Sequence, residues 1–332
     1  MARIDVIGAG ITGLWQALTL AERGHEVRLL ERSDKPFADA ASRLGGAMLA
    51  PYCEAEAAPP IVRDLGLRAM AIWRDKLSCV EQNGTLVLAQ PRDRAELSRF
   101  AARTEAHEQV DAARIAELEP ALDERYRTGL FYPDEAHVPP QRALEALTAA
   151  IEQAGGEIRF GVDAGDGGGD AEVTVDCRGM AARDSLPGLR GVRGEMALVE
   201  TAEIALHRPV RLLHPRFPLY VAPWGGNTYM IGATVLESDD RGEVTLRSAL
   251  DLLGMAYALH PAFGEARVVS LSADVRPAFS DNVPRIIVRG SRIHVNGMYR
   301  HGYLTAPALA ELTADYLEGR RSNSEILVED HG

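Results

Sequence analysis

The chain has 332 residues, 46% of them hydrophobic, with 36 basic and 48 acidic side chains and a net charge of −12. That is length enough for a large core in two domains, or in one domain with a large insert, and the basic residues form no block that would suit a nucleic-acid partner. Lys35 and Lys76 are the only lysines, which leaves almost no candidate for a Schiff-base enzyme, and Cys53, Cys79 and Cys177 form no CxxC, which disfavours a dithiol centre or a cysteine zinc site.

Residues 4–7 form an apolar strand pattern that runs into Gly8-x-Gly10-x-x-Gly13. A helical pattern follows, with Leu14, Ala17, Leu18 and Ala21 at three- and four-residue spacing, and ends near Gly24. A second strand, 27–30, closes on Glu31. The spacing has a mechanism for binding a dinucleotide: Gly8 permits the turn, Gly10 lets the backbone approach a pyrophosphate, and Gly13 lets the helix pack on the strand. The helix N-terminus, from Ile11 and Thr12, offers free N–H groups to the phosphates. Glu31 lies where an acid would bond a ribose hydroxyl; an acid here disfavours a 2′-phosphate, although Arg32 beside it tempers that. The motif alone does not choose between NAD and FAD.

A loop, 33–42, ends at Ser42, and the apolar stretch after it carries Gly45-Gly46-Ala47-Met48. Adjacent glycines there read equally as backbone packed against something bulky or as a plain turn. Residues 61–82 and 93–108 read as helices, 115–122 as a short helix, 85–89 and 129–133 as strands, with a turn at Asn83-Gly84. Val138-Pro139-Pro140 starts a helix to about Gln153, and 158–162 and 173–179 are strands, the latter ending in Asp176-Cys177-Arg178-Gly179 and returning to the nucleotide sheet. Residues 165–170 are Gly/Asp-rich and read as an exposed turn. Strands follow at 191–200, 219–223 and 228–234, with Gly225-Gly226-Asn227 as a hairpin turn. A helix spans 244–259, a strand 267–274 ends at Val275-Arg276-Pro277, and 286–288 with 293–295 form a hairpin. The last helix begins near Thr305, with Pro307 tolerated in its first turn.

These patterns predict a mixed α/β protein. A Rossmann-like nucleotide-binding domain is made of 1–50, 139–190 and 270–332, and a substrate domain on an antiparallel or mixed sheet is made of 51–138 and 191–269. The chain opens directly into a strand, with no leader pattern and no run of about 18 apolar residues. A cytoplasmic protein without membrane association is expected, in keeping with free thiols in a reducing compartment. A homo-oligomer is left open, and no metal is expected.

The order of motifs resembles the D-amino-acid-oxidase-like flavoprotein oxidoreductases, and within them the glycine oxidases of thiamine biosynthesis. The matching pieces, beyond the Gly8 loop and Glu31, are Gly46-Ala47-Met48-Leu49, Val138-Pro139-Pro140, Val175-Asp176-Cys177-Arg178-Gly179, Arg193-Gly194-Glu195, Tyr220-x-x-Pro223, Ile231-Gly232-Ala233-Thr234, Val275-Arg276-Pro277 and Tyr299-Arg300-His301-Gly302. The chain departs from the family pattern at Asp274-Val275, Gly297-Met298 and Val235.

The resemblance implies FAD. It places Gly8, Gly10, Ile11, Thr12, Gly13, Glu31, Arg32, Ser42, Val162, Cys177 and Gly179 along the cofactor. Gly46, Ala47 and Met48 would lie at the flavin ring, and Met298, Tyr299, Arg300, His301, Gly302, Tyr303 and Leu304 around its pyrimidine side. The last helix would direct its free N–H groups at the flavin O2 edge. A substrate carboxylate needs a fixed cation, and a bidentate arginine holds its plane as a lysine cannot; Arg276 is the candidate, with Tyr220 as a second donor. Arg300 touches substrate through its backbone carbonyl, adds positive potential near the ring, or makes a structural ion pair. Met48 and Val235 shape the pocket, and His301 is a packed or hydrogen-bonded residue. The implied reaction is oxidative deamination of glycine or another small amino acid, with O2 as acceptor. The sequence also admits a dehydrogenase with another acceptor, an oxidase of sarcosine or proline, and a non-enzymatic flavin-binding subunit.

Overall fold

Two β-sheets organise the chain in the computed structural model, which describes residues 1–163, 170–320 and 325–330. The first sheet has seven strands. Its centre is Arg3–Ile7, flanked in parallel by Glu26–Glu31 and Val173–Asp176. Glu157–Phe160 extends one side; the hairpin Arg285–Arg289 with Arg292–Asn296, and then Leu327–Glu329, extend the other. Helices Ile11–Glu22, Pro60–Lys76, Pro140–Gln153 and Gly302–Leu317 bury their apolar faces with this sheet in one core that includes Val6, Leu18, Trp73, Leu147 and Leu309.

The second sheet has nine strands: Thr85–Ala89, Glu108–Asp111, Thr128–Tyr132, Arg190–Glu200, Val210–Leu213, Leu219–Gly225, Thr228–Gly232, Leu236–Glu237 and Arg267–Ala278. Its two faces differ. Period-two alternation sends Leu86, Leu88, Val210, Leu212, Val221, Ile231, Ala197 and Val199 to one side, against Leu252 and Ala256 of the helix Leu246–Leu259. The registers Arg211↔Tyr220, Tyr220↔Gly232, Met196↔Gly232 and Val192↔Arg276 put Arg211, Tyr220 and Arg276 together on the other side.

Several elements differ from the sequence expectation. The helix of 61–82 is Pro60–Lys76, after a separate short helix Pro51–Glu54. The helix of 93–108 stops at Arg103, because Glu108–Asp111 is an edge strand in which only Val110 turns inward, so its charged residues mimic a solvated helix. Val210–Leu213 and Leu327–Glu329 are strands that the sequence reading did not assign. The strand containing Arg276 continues to Ala278, so Arg276 lies within it and not at its end, and this strand crosses the expected boundary at 270. The last helix begins at Gly302, three residues before the expected start, so Pro307 sits inside it. The carbonyl that Pro307 cannot engage, that of Tyr303, accepts the Trp73 indole N–H at 2.9 Å. The expected turn at 165–170 lies outside the described residues except for Asp170, whose carboxylate accepts from Arg3 and Arg28.

Candidate active site

Two cavities meet between the sheets. The larger, of about 640 Å³, runs along the C-terminal ends of the first sheet's parallel strands, where ligands bind in doubly wound folds. Gly8, Gly10, Ile11, Thr12, Glu31, Arg32, Ser42, Val162, Cys177, Gly179, Met298, Tyr299, Arg300, Gly302 and Tyr303 all line it. Gly13 does not. A Cβ on Gly13 would overlap the Gly8 carbonyl oxygen, and one on Gly8, whose φ is 99°, would sit 2.8 Å from the Cys177 carbonyl oxygen. These two glycines are therefore required by the protein's own packing. Gly10 differs, since the atom nearest to its absent Cβ is the Ser42 hydroxyl at 3.8 Å.

At the start of the helix Ile11–Glu22 the Ser42 hydroxyl accepts the Ile11 N–H at 3.2 Å, while the Thr12 and Gly13 N–H groups have no acceptor among the described residues. Glu31 is fixed by the Ala9 and Ser33 N–H groups, at 2.8 and 3.1 Å. Free Thr12 and Gly13 N–H groups behind a glycine turn, with a fixed carboxylate at the end of the second strand, fit a dinucleotide. Burial pushes the Cys177 thiol well above its ordinary pKa, which makes it a small apolar wall residue. Arg32 is exposed, 3.6 Å from Asp39. Arg178, Arg183 and Arg241 line the same cavity and are not among the site residues expected from the sequence; Arg178, held by Asp176 at 2.8 Å, lies within the Val175–Gly179 motif and had that signal.

The smaller cavity, of about 330 Å³, adjoins the first and shares Gly45, Arg300 and Tyr303 with it. Gly46, Ala47, Met48, Tyr220, Val235, His301 and Leu304 line it. The paired glycines are the packed-backbone case, not a plain turn: a Cβ on Gly45 would meet the Tyr303 ring at 2.9 Å, and one on Gly46 the Tyr220 ring at 2.5 Å. Val235 is 48% exposed and stands at the rim.

Arg276 lies across Gly194, whose absent side chain makes room for the guanidinium. Its neighbours explain the Arg193-Gly194-Glu195 motif. The pleat sends Arg193 and Glu195 to the far face, where they pair at 2.9 Å and Arg193 donates to the Asp240, Gly242 and Glu243 carbonyls. Arg276 itself donates to the Thr234 carbonyl at 3.2 Å, and no carboxylate lies within 4.0 Å of it among the described residues. Burial lowers its pKa, and burial raises that of Tyr220 beside it.

Glu54, which the sequence reading did not single out, gathers the other cations. Its carboxylate pairs with Arg211, with Arg300 at 2.8 Å and with His301 Nε2 at 3.1 Å. Burial would raise its pKa, but Arg300 and Arg211 hold it well below the carboxylate range. Arg300 thus makes an ion pair while also lining both cavities. His301 is 2% exposed, and burial lowers its pKa against the pull of Glu54. Behind this group the fully buried Glu135 accepts the Cys53 N–H at 2.8 Å, and burial raises its pKa to about 7. No group of three or more His, Cys, Asp or Glu among the described residues could hold a metal ion.

A dinucleotide cradle that opens onto an arginine-lined cavity defines an enzyme that uses a nucleotide cofactor. The FAD dependent oxidoreductase family model matches residues 3–316, and the chain belongs to that family. It is 51% identical to the putative thiamine biosynthesis oxidoreductase ThiO of Rhizobium etli, over 93% of this chain and 94% of that one. It is 24% identical to the glycine oxidase of Geobacillus kaustophilus, over 97% and 94%. The crystal structure of glycine oxidase from Bacillus cereus superposes with a TM-score of 0.83 at 23% identity, covering 98% of this chain and 99% of that one. FAD is the cofactor. No helix among the described residues is long and apolar enough to cross a membrane.

Proposed function

We propose that this protein oxidatively deaminates glycine, or another small amino acid, in the formation of the thiamine thiazole. The observation that carries the reading is Arg276, a half-buried guanidinium without a carboxylate partner among the described residues, on the sheet face beside Tyr220. The names of the relatives, a thiamine biosynthesis oxidoreductase and a glycine oxidase, support the same substrate class.

The nucleotide-binding part is 1–50, 139–190 and the C-terminal segment, with 51–138 and the rest of the second sheet as the substrate part. In it the Gly8 turn, the Ile11 and Thr12 end of the helix, Glu31, Arg32, Ser42, Val162, Cys177 and Gly179 hold the adenosine and pyrophosphate. Gly46, Ala47, Met48 and residues 298–304 hold the ring. Bound FAD supplies two-electron oxidation of the amine, with the electrons passing to O2, so that glycine, O2 and water give glyoxylate, ammonia and hydrogen peroxide.

Arg276 and Tyr220 hold the substrate carboxylate. Arg276, with Arg211 and Arg300 exceeding the single negative charge of Glu54, favours the neutral amine over the ammonium, which is the form that can be oxidised. His301, its pKa lowered by burial, adds no charge to the cavity at neutral pH. Met48 and Val235 limit the size of the α-carbon and nitrogen substituents. The setting is cytoplasmic.

Anaerobic mixing of the yellow holoprotein with glycine, sarcosine, D-alanine and proline tests the reading. Glycine should bleach the flavin, and readmitted air should restore colour with one peroxide per turnover. Bleaching that only a dye or quinone reverses would remove O2 as acceptor, and a flavin that no amino acid bleaches would remove the reaction.

A further inference from the structure

Every arginine that lines the smaller cavity has a carboxylate partner. At the mouth Arg99 pairs with Glu96 at 3.1 Å and Arg103 with Glu56 at 2.9 Å. Deeper in, Arg211 and Arg300 share the single carboxylate of Glu54, one on each oxygen. Arg276, which opens on the adjoining cavity, has none within 4.0 Å among the described residues. Arg211 and Tyr220 are cross-strand neighbours, so the Arg211 guanidinium stands within reach of the same small ligand that Tyr220 would touch. Two cations on one carboxylate is the weak point of this arrangement.

We propose that Glu54 sets the register in which substrate binds. By engaging Arg211 and Arg300 together it leaves Arg276 as the guanidinium open to a substrate carboxylate, and it excludes the reversed pose in which that carboxylate pairs with Arg211 or Arg300 and the α-carbon lies away from the cofactor. Glu54 is a positioning residue here, acting through two arginines. The helix Pro51–Glu54 aims it, and the buried Glu135 pins the turn by accepting the Cys53 N–H. Discrimination by removal of an attractive alternative is as effective as a better correct contact. The inference rests on Arg276 as the carboxylate site.

The test uses holoprotein and two ligands that cannot be oxidised, acetate with one carboxylate and malonate with two. Binding of each is read from the perturbation of the bound flavin's absorbance, which needs no turnover. In Glu54→Gln, the two released guanidinium groups should tighten malonate relative to acetate by about tenfold, the scale of a new charge-assisted contact. Glycine kcat and KM should fall by the same factor, leaving kcat/KM nearly constant, the signature of non-productive binding. Adding Arg211→Gln to Glu54→Gln should return the malonate-to-acetate ratio toward that of the parent. An unchanged ratio in Glu54→Gln, or a fall in kcat/KM without a change in the ratio, would overturn the proposal and leave Glu54 a support for the fold. Should Glu54→Gln lose its FAD, Glu54→Asp carries the same test: its shorter carboxylate cannot hold both cations, and malonate should tighten by a smaller factor or the proposal fails. A flavin that glycine never bleaches, in a protein whose ratio shifts as stated, would remove the glycine reading and keep this one.

Discussion

The two adjoining cavities share Gly45, Arg300 and Tyr303 but are built by opposite means. The nucleotide cradle is made of backbone: a glycine turn, uncapped N–H groups and strand ends, in segments close together along the first sheet. The substrate cavity is made of side chains and charge, brought from residues as far apart as Glu54, Arg211 and Arg300. The lesson is that the same kind of substitution is judged differently on the two sides. In the cradle the question is whether an added atom has room. In the cavity it is which charge loses its partner.

The sharpest test of this contrast sets two glycines of one motif against each other. Gly13→Ala should cost about 3 kcal/mol or more and abolish the folded holoprotein, because its Cβ overlaps the Gly8 carbonyl. Gly10→Ala should leave the thermal midpoint of the apoprotein nearly unchanged and weaken FAD binding, because its Cβ meets nothing closer than 3.8 Å in the protein itself. Equal loss of stability in both variants would break the distinction.

On the cavity side, Arg276→Ala should weaken glycine binding by about 2–5 kcal/mol with normal FAD content, and Arg276→Lys should recover only part of that. Steady-state kinetics with a flavin assay checks both; near-normal glycine kinetics in the alanine variant would take Arg276 out of the clamp.

Glu135 gives a pH test. Its folded pKa of about 7 lies above the ordinary carboxyl value, so the folded state keeps a proton that the unfolded state releases. Stability from this group is therefore fully present at pH below about 4 and is lost as pH rises toward 7, by at most about 4 kcal/mol. Glu135→Gln should remove that loss and raise the melting temperature at pH 8 more than at pH 5. Glu54 has the opposite sign, since its depressed pKa makes its contribution disappear on acidification.

The smallest effect is expected at the rim. Val235→Met should narrow the substrate range toward glycine, by about 1–3 kcal/mol in the ratio of kcat/KM for glycine against sarcosine or D-alanine. An unchanged ratio would place the size limit elsewhere.

Legibility in the sequence follows the same division. The Gly8 turn, the helix after it and Glu31 could be read because a local motif carries its own geometry. Strands such as Thr85–Ala89 and the hairpin of 285–296 could be read because alternation and turn residues are local too. Glu54 and Arg211 could not, since what makes them special is a contact between residues 157 positions apart. A partial signal was present: Arg211 alternates with Val210 and Leu212, which turn into the core, so it had to face the other side. Placing it beside Tyr220 required the strand register. The start of the last helix was misread because Pro307 was given a first-turn place, whereas Trp73, a partner far along the chain, makes an interior proline tolerable.

That indole has a further consequence. Trp73 stacks on Tyr303 with ring centroids 6.2 Å apart and meets Trp15 edge-on at 4.8 Å, and Tyr303 lines both cavities. Two of the three tryptophans in the chain therefore sit within two rings of the place where an absorbing cofactor binds, Trp73 one ring away and Trp15 two. Their emission should be strongly quenched in the yellow protein and should brighten as FAD leaves, so the helix contact that accommodates Pro307 also gives the molecule a built-in optical gauge of its own cofactor occupancy.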